Sequence, residues 1–143
     1  MKTLRLIPFF LCLTVWVASA QKTPVYGKYS WYEGLEKARS EGKSLFVYIS
    51  QKGCSYCKEL DKSLAANPAV VAFLEEKFVL VRHSTSTPYG KAFTLDNHLQ
   101  TTPALIIQNP AWPEDPLILY GILDASVLRK ELEKYLGGSG SRQ

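Results

Sequence analysis

Two cysteines three positions apart, Cys54 and Cys57, follow a continuous apolar run, Leu45–Ile49, and open a stretch that has neither Gly nor Pro as far as Ala66. A β-prone run this short suits a central strand buried on both faces. The stretch after it is helical by composition, so the cysteines fall where strand turns into helix. In disulfide exchange the nucleophile is the thiolate, and a protein must lower a thiol pKa to obtain it. Unpaired backbone N–H groups and the positive end of a helix dipole favour an anion at such a joint. The two intervening residues, Ser55 and Tyr56, put the second sulfur one helical turn inside, within bonding reach of the first. Cys54, the outer cysteine, is therefore predicted to attack a substrate disulfide, and Cys57 to resolve the mixed disulfide. Lys58 adjoins the pair and could favour the thiolate, although a lysine on an exposed helix face is more often only solvated.

The start of the chain changes the meaning of the cysteine count. Met1–Arg5 carries Lys2 and Arg5 and no acid, Leu6–Val17 is almost entirely apolar, and Ala18-Ser19-Ala20 has the small-x-small pattern of a cleavage site. This is the form of a secretory signal peptide over residues 1–20, and its apolar run falls well short of the ~20 residues that span a bilayer. Cys12 follows bulky Leu11, which argues against a lipid-attachment site. Cleavage after Ala20 removes one of the three cysteines and leaves 123 of the 143 residues, one domain with a real core. A lone pair closing so small a loop constrains the unfolded chain very little, so chemistry explains it better than stability does. With Lys2 and Arg5 gone, 15 basic and 13 acidic side chains remain, interleaved along the sequence. That pattern resembles neither a nucleic-acid footprint nor a polybasic membrane patch.

Other uses of the pair fit less well. A zinc site needs two more ligands, and Cys-x2-Cys-x25-His-x14-His, ending in His83 and His98, matches no common finger spacing. Covalent haem attachment needs a histidine where Lys58 stands. No metal and no cofactor are expected.

Along the chain, residues 21–29 read as a polar lead-in. Ser30 and Glu33 form a capping box for a helix with Trp31, Leu35 and Ala38 at helical spacing, stopping at Gly42. After the cysteine helix, Asn67 and Pro68 have the N-cap and first-turn pattern of another helix, with Val70, Val71, Phe73 and Leu74 facing the core. A strand at Phe78–Val81, a helical turn near Lys91–His98, a strand at Ala104–Gln108, a loop with Pro110, Pro113 and Pro116, and a return strand at Leu117–Tyr120 follow. Asp124 caps a last helix with Leu128, Leu132, Tyr135 and Leu136 on one face. Residues 137–143 read as a flexible tail. The order αβα(α)β(α)ββα indicates an α/β domain over residues 30–136.

The cysteine pair, the strand before it, the helix after it and Thr102-Pro103 ahead of a later strand together resemble the thioredoxin superfamily. The resemblance covers Tyr29 to Leu136 and implies a thioredoxin-like fold, a central mixed β-sheet flanked by helices on both faces. It implies that Pro103 is the cis-proline opposite the cysteines, that Thr102 offers backbone hydrogen bonds to a bound substrate chain, and that Gly121 is the family glycine after the last strand. Lys43-Ser44-Leu45-Phe46-Val47 and Asn67-Pro68-Ala69-Val70-Val71 are similar to the branch with the DsbD C-terminal domain and the SoxW-type periplasmic thioredoxins. Thr102-Pro103 is also similar to DsbC, whose dimerising N-terminal domain has no room here. Two departures stand out. Gly53 replaces the tryptophan before the first cysteine, and Tyr48 replaces a buried aspartate that accepts the proton of the inner thiol. A tyrosine is a poor base at neutral pH, so Cys57 must lose its proton to water or another carboxylate, such as Glu59.

Residues between the cysteines tune the redox potential. Ser55 and Tyr56 carry neither the histidine of DsbA-type oxidants nor a charge, which favours a reductase of protein disulfides. The resemblance implies a bacterial periplasm, a membrane electron donor of DsbD type and a monomer. The Ser-Arg-Gln end is no retention signal. An isomerase or oxidase using the same cysteines, or a non-catalytic binding or chaperone module, remains an alternative.

Overall fold

The computed structural model describes residues 21–139. The expected signal peptide, 1–20, and the end of the expected tail, 140–143, lie outside the described residues.

The Ser30 hydroxyl accepts the Glu33 N–H and the Glu33 carboxylate accepts the Ser30 N–H, the reciprocal box that starts α1 (Trp31–Glu41). Gly42 ends that helix at φ +64, a backbone region that favours glycine. The chain then enters β1 (Ser44–Ser50), every residue of which is buried. β2 (Phe78–Ser84) pairs with β1 in parallel, β3 (Ala104–Gln108) pairs with its other edge antiparallel, and β4 (Leu117–Tyr120) completes a mixed sheet of order β2-β1-β3-β4. β1 has strands on both sides and helices on both faces, which is why its Leu45–Ile49 stretch is continuously apolar rather than alternating.

Successive side chains of a strand point to opposite faces, and the two cores divide accordingly. Phe46, Tyr48, Leu80, Leu105 and Ile107 pack beneath α2 (Ser55–Ala65), α3 (Pro68–Lys77) and α5 (Ala125–Ser139). Leu45, Val47, Ile49, Val81 and Ile106 pack beneath α1 and α4 (Pro88–Asp96). The chain has the thioredoxin-like architecture, and the helix order agrees with the pattern read from the sequence.

The differences are local. β1 and β2 run past their apolar stretches because ladder pairing continues through Ile49–His83 and Ser50–Ser84. α4 starts at Pro88, earlier than the expected turn at Lys91, because the Thr87 hydroxyl accepts the Gly90 N–H. Gly90 lies against the Ser84 carbonyl, where a Cβ would collide. Asn67 stands at the N-cap of α3, but its side chain makes no cap; it donates back to the Ser63 carbonyl at 2.7 Å. α5 continues through Gly137 and Gly138 to Ser139, so the first part of the expected tail is helical. The lead-in is not loose: Gly27 bridges Val81 in parallel, and Lys22 pairs with Glu75.

Candidate active site

Gly53 sits at φ +81, in the region where a Cβ is costly, and no other atom lies near where that Cβ would be. The backbone turn, rather than a contact, accounts for a glycine before the first cysteine. Cys54 is the N-cap of α2, and its Sγ accepts the Cys57 N–H at 3.1 Å. An anion at this sulfur would take up a backbone donor that the helix leaves unpaired.

The two cysteines are joined as a disulfide, with Cα atoms 5.3 Å apart. Their environments differ. Cys57 is buried, 3% exposed, in the core beneath α2, whereas Cys54 is half-buried at the surface. Ser55 and Tyr56 are both exposed, and Tyr56 presents more than half its area to solvent. Lys58 and Glu59 are exposed as well.

The loop ahead of β3 faces the outer sulfur. The Thr102–Pro103 peptide bond is cis, and Pro103 is buried. The Thr102 hydroxyl donates to Cys54 Sγ at 3.5 Å, and the Thr102 carbonyl oxygen lies 3.7 Å from the same sulfur. Cys54, Cys57, Thr102 and Pro103 thus come together, with Ser55 and Tyr56 on the rim.

Beneath Cys57 lies Tyr48, which the sequence singled out, together with Arg82 and Asp61, which it did not. Tyr48 is fully buried, and its hydroxyl donates to the Cys57 carbonyl at 3.1 Å. Burial, and beyond it the negative charge of Asp61, push the Tyr48 pKa well above its ordinary value. Arg82, the ladder partner of Tyr48, lays its guanidinium over the Tyr48 ring at 4.3 Å and grips both Asp61 carboxylate oxygens at 3.1 and 2.9 Å. Tyr26 from the lead-in meets Tyr48 edge-on and lies beneath the same guanidinium; burial raises its pKa too. Asp61 lies about one helical turn past Cys57 on α2. No sequence signal links it to Arg82, 21 positions away.

His83 does not approach the cysteines; it packs against Tyr89 and Phe93 beneath α4, and burial lowers its pKa. His98 is exposed. Among the described residues no cluster of three or more His, Cys, Asp or Glu is arranged to hold a metal.

The Thioredoxin-like family model matches residues 28–110, more than half the chain. The solution structure of a thioredoxin from Thermus thermophilus superposes with a TM-score of 0.69 at 24% identity, covering 80% of this chain and 88% of that one. A candidate disulphide-isomerase from Bacteroides thetaiotaomicron gives 0.67 at 25% identity, covering 78% and 91%. The oxidised DsbD C-terminal domain of Neisseria meningitidis gives 0.56 at 17% identity, covering 70% and 87%, a likeness of fold. An uncharacterised protein of Archaeoglobus fulgidus is 26% identical over 62 residues, 43% of this chain, and the chain spans about half (49%) of that curated relative.

Proposed function

The chain belongs to the thioredoxin-like family, and from that premise we propose that it is an exported thiol–disulfide oxidoreductase that reduces protein disulfides through Cys54 and Cys57. The observation that carries this reading is the asymmetry of the pair. The Cys54 sulfur is half-exposed and collects hydrogen bonds from the Cys57 N–H and the Thr102 hydroxyl, while Cys57 is buried one turn inside. Those donors stabilise a thiolate on Cys54 and leave Cys57 to act second.

In the forward reaction the Cys54 thiolate attacks one substrate sulfur. The Cys54–substrate bond forms, the substrate disulfide breaks, and the other substrate sulfur leaves as thiolate. Cys57 then loses its proton and attacks Cys54 Sγ. The Cys54–Cys57 bond forms, the second substrate thiolate leaves, and two electrons have passed from the dithiol to the substrate. Thr102 offers its backbone to the substrate chain against Pro103, and Ser55 and Tyr56 tune the potential. Tyr56 adds an exposed ring beside the disulfide on which a substrate chain can rest.

The direction rests on Ser55-Tyr56, which lacks the histidine of strong oxidants. The compartment rests on residues 1–20, and a bacterial periplasm is kept oxidising, so a reductase there must be recharged. The partners that follow are protein disulfides and a membrane donor of DsbD type, with the enzyme itself a monomer. Similarity to a candidate disulphide-isomerase favours isomerisation as the second reading.

Cys57→Ala is expected to trap substrates as mixed disulfides that dithiothreitol releases, and Cys54→Ser to trap none. Full function in a Cys54→Ser strain would instead indicate a binding module. Redox titration of the couple is expected to give a potential far below that of DsbA; a value near about −120 mV would reverse the assigned direction. Mass spectrometry of the exported protein should find Gln21 as its first residue, and an intact Met1 on exported material would remove the signal assignment.

A further inference from the structure

Resolution of the mixed disulfide leaves one requirement unmet by the family pattern, a group to take the Cys57 proton where Tyr48 replaces the buried aspartate. Relying on the reading above of Cys57 as the resolving thiol, we propose that Asp61 accepts that proton, with Tyr48 and Arg82 as its positioning residues.

The titratable and charged groups around the Tyr48–Cys57 contact come from each element that meets there. They are Tyr48 of β1, Arg82 of β2, Tyr26 of the lead-in and Asp61 of α2. The fully buried side chains that β3, α3 and α5 bring to this core, such as Leu105, Leu74 and Leu128, are apolar, and the one phenol α5 adds at its edge, Tyr135, accepts the Asn109 N–H. Of the four groups only Asp61 can accept a proton, since both tyrosines hold theirs more tightly than usual and the guanidinium is already charged. Asp61 lies four residues after Cys57 on α2, and side chains at that spacing are neighbours on one helix face. The Tyr48 hydroxyl donates to the Cys57 backbone carbonyl, and Arg82, which lies over the Tyr48 ring, holds the Asp61 carboxylate on the same side of α2. Glu59, the carboxylate suggested by sequence, is exposed on α2.

The charges are conserved within the cluster. Before transfer it holds a carboxylate, a guanidinium and a neutral thiol; afterwards it holds a neutral carboxyl, the same guanidinium and a thiolate. No net charge is created in the core, where an unpaired one would be costly. When Asp61 becomes neutral, the Arg82 guanidinium that held it stays charged, so the cluster's net charge is unchanged. The thiolate then attacks Cys54 Sγ, the Cys54–Cys57 bond forms, and the substrate sulfur leaves with its electron pair. The Asp61 side chain is 38% exposed, which gives the proton a path on to water.

The test uses the reduced full-length protein and 5,5′-dithiobis(2-nitrobenzoate). One nitrothiobenzoate is released when Cys54 attacks and a second when Cys57 resolves. Asp61→Asn should leave the first phase near the wild-type rate and slow the second by about 100-fold near neutrality, with recovery as pH rises and solvent can deprotonate Cys57. Where Asp61→Asn loses helix content, Asp61→Ala decides instead, because added formate should restore its second phase in proportion to concentration. A second phase within twofold of wild type at every pH, a slowing that neither pH nor formate relieves, or a slow second phase in Glu59→Gln with a normal one in Asp61→Asn would each overturn the assignment. Loss of the first phase in the wild-type protein would instead sink the reading of Cys54 as nucleophile.

Discussion

At Cys54 two hydrogen bonds reach one sulfur from parts of the chain that are far apart in sequence. The Cys57 N–H comes with the helix and cannot be mutated away, but the Thr102 hydroxyl can. A hydrogen bond to a charged acceptor contributes about 1.5–3 kcal/mol, and the 3.5 Å separation here puts this one at or below the low end. Thr102→Val is therefore expected to raise the Cys54 thiol pKa by about one unit, read from thiolate absorbance against pH, while Thr102→Ser should leave it within a few tenths. An unchanged pKa in the valine protein would mean that the backbone N–H alone holds the anion. Lys58, exposed beside the pair, should shift that pKa little when changed to Gln. Spacing singled out 54 and 57 in the sequence and the family resemblance singled out 102 and 103, and the fold brings the four together. Asp61 was not, since its importance depends on Arg82 arriving from β2.

At the level of elements, caps and turns carry most of what was legible. Ser30-x-x-Glu33, Gly42 and Asp124 all mark helix ends as their chemistry requires. The Asp124 carboxyl is held below its ordinary pKa of 3.8, first by the Ser126 hydroxyl and then by the Val127 and Ser126 N–H groups. A depressed native pKa means that the unfolded chain binds the proton more readily. The cap's contribution is thus fully present above the unfolded value and is lost as pH falls through the native one. Asn accepts the same N–H groups without titrating, so Asp124→Asn should unfold at a similar denaturant concentration near pH ~7 and lose less stability than wild type toward pH ~3. Parallel acid profiles would remove Asp124 as a source of the acid loss. Asn67 shows the limit of such signals: it has the residue type of a cap, yet its amide turns back to Ser63. The start of α4 escaped notice because Thr87-Pro88 reads equally well as loop.

For the whole molecule, the sheet separates a core that supports the cysteines from one that does not. Leu128 of α5 is fully buried in the first, beneath the same sheet face as Tyr48 and Cys57. Leu128→Ala should destabilise the protein by about 2–5 kcal/mol in urea unfolding while leaving the rate of Cys54 attack by the folded fraction within twofold. A large loss of that rate would show that α5 also sets the geometry of the site. By itself the sequence determined the cysteine pair, its place at a strand–helix joint and the order of the elements. Those are matters of local composition and spacing, and short-range physics decides them, whereas the proline opposite the pair was what the family resemblance implied, and its loop reaches Cys54 only through long-range packing. Only the tertiary structure decided what lies under Cys57. The parallel register that sets Arg82 beside Tyr48, and the approach of α2 that brings Asp61 into that guanidinium's grip, join three elements across the core. Long-range packing of this kind leaves no periodic trace in the chain.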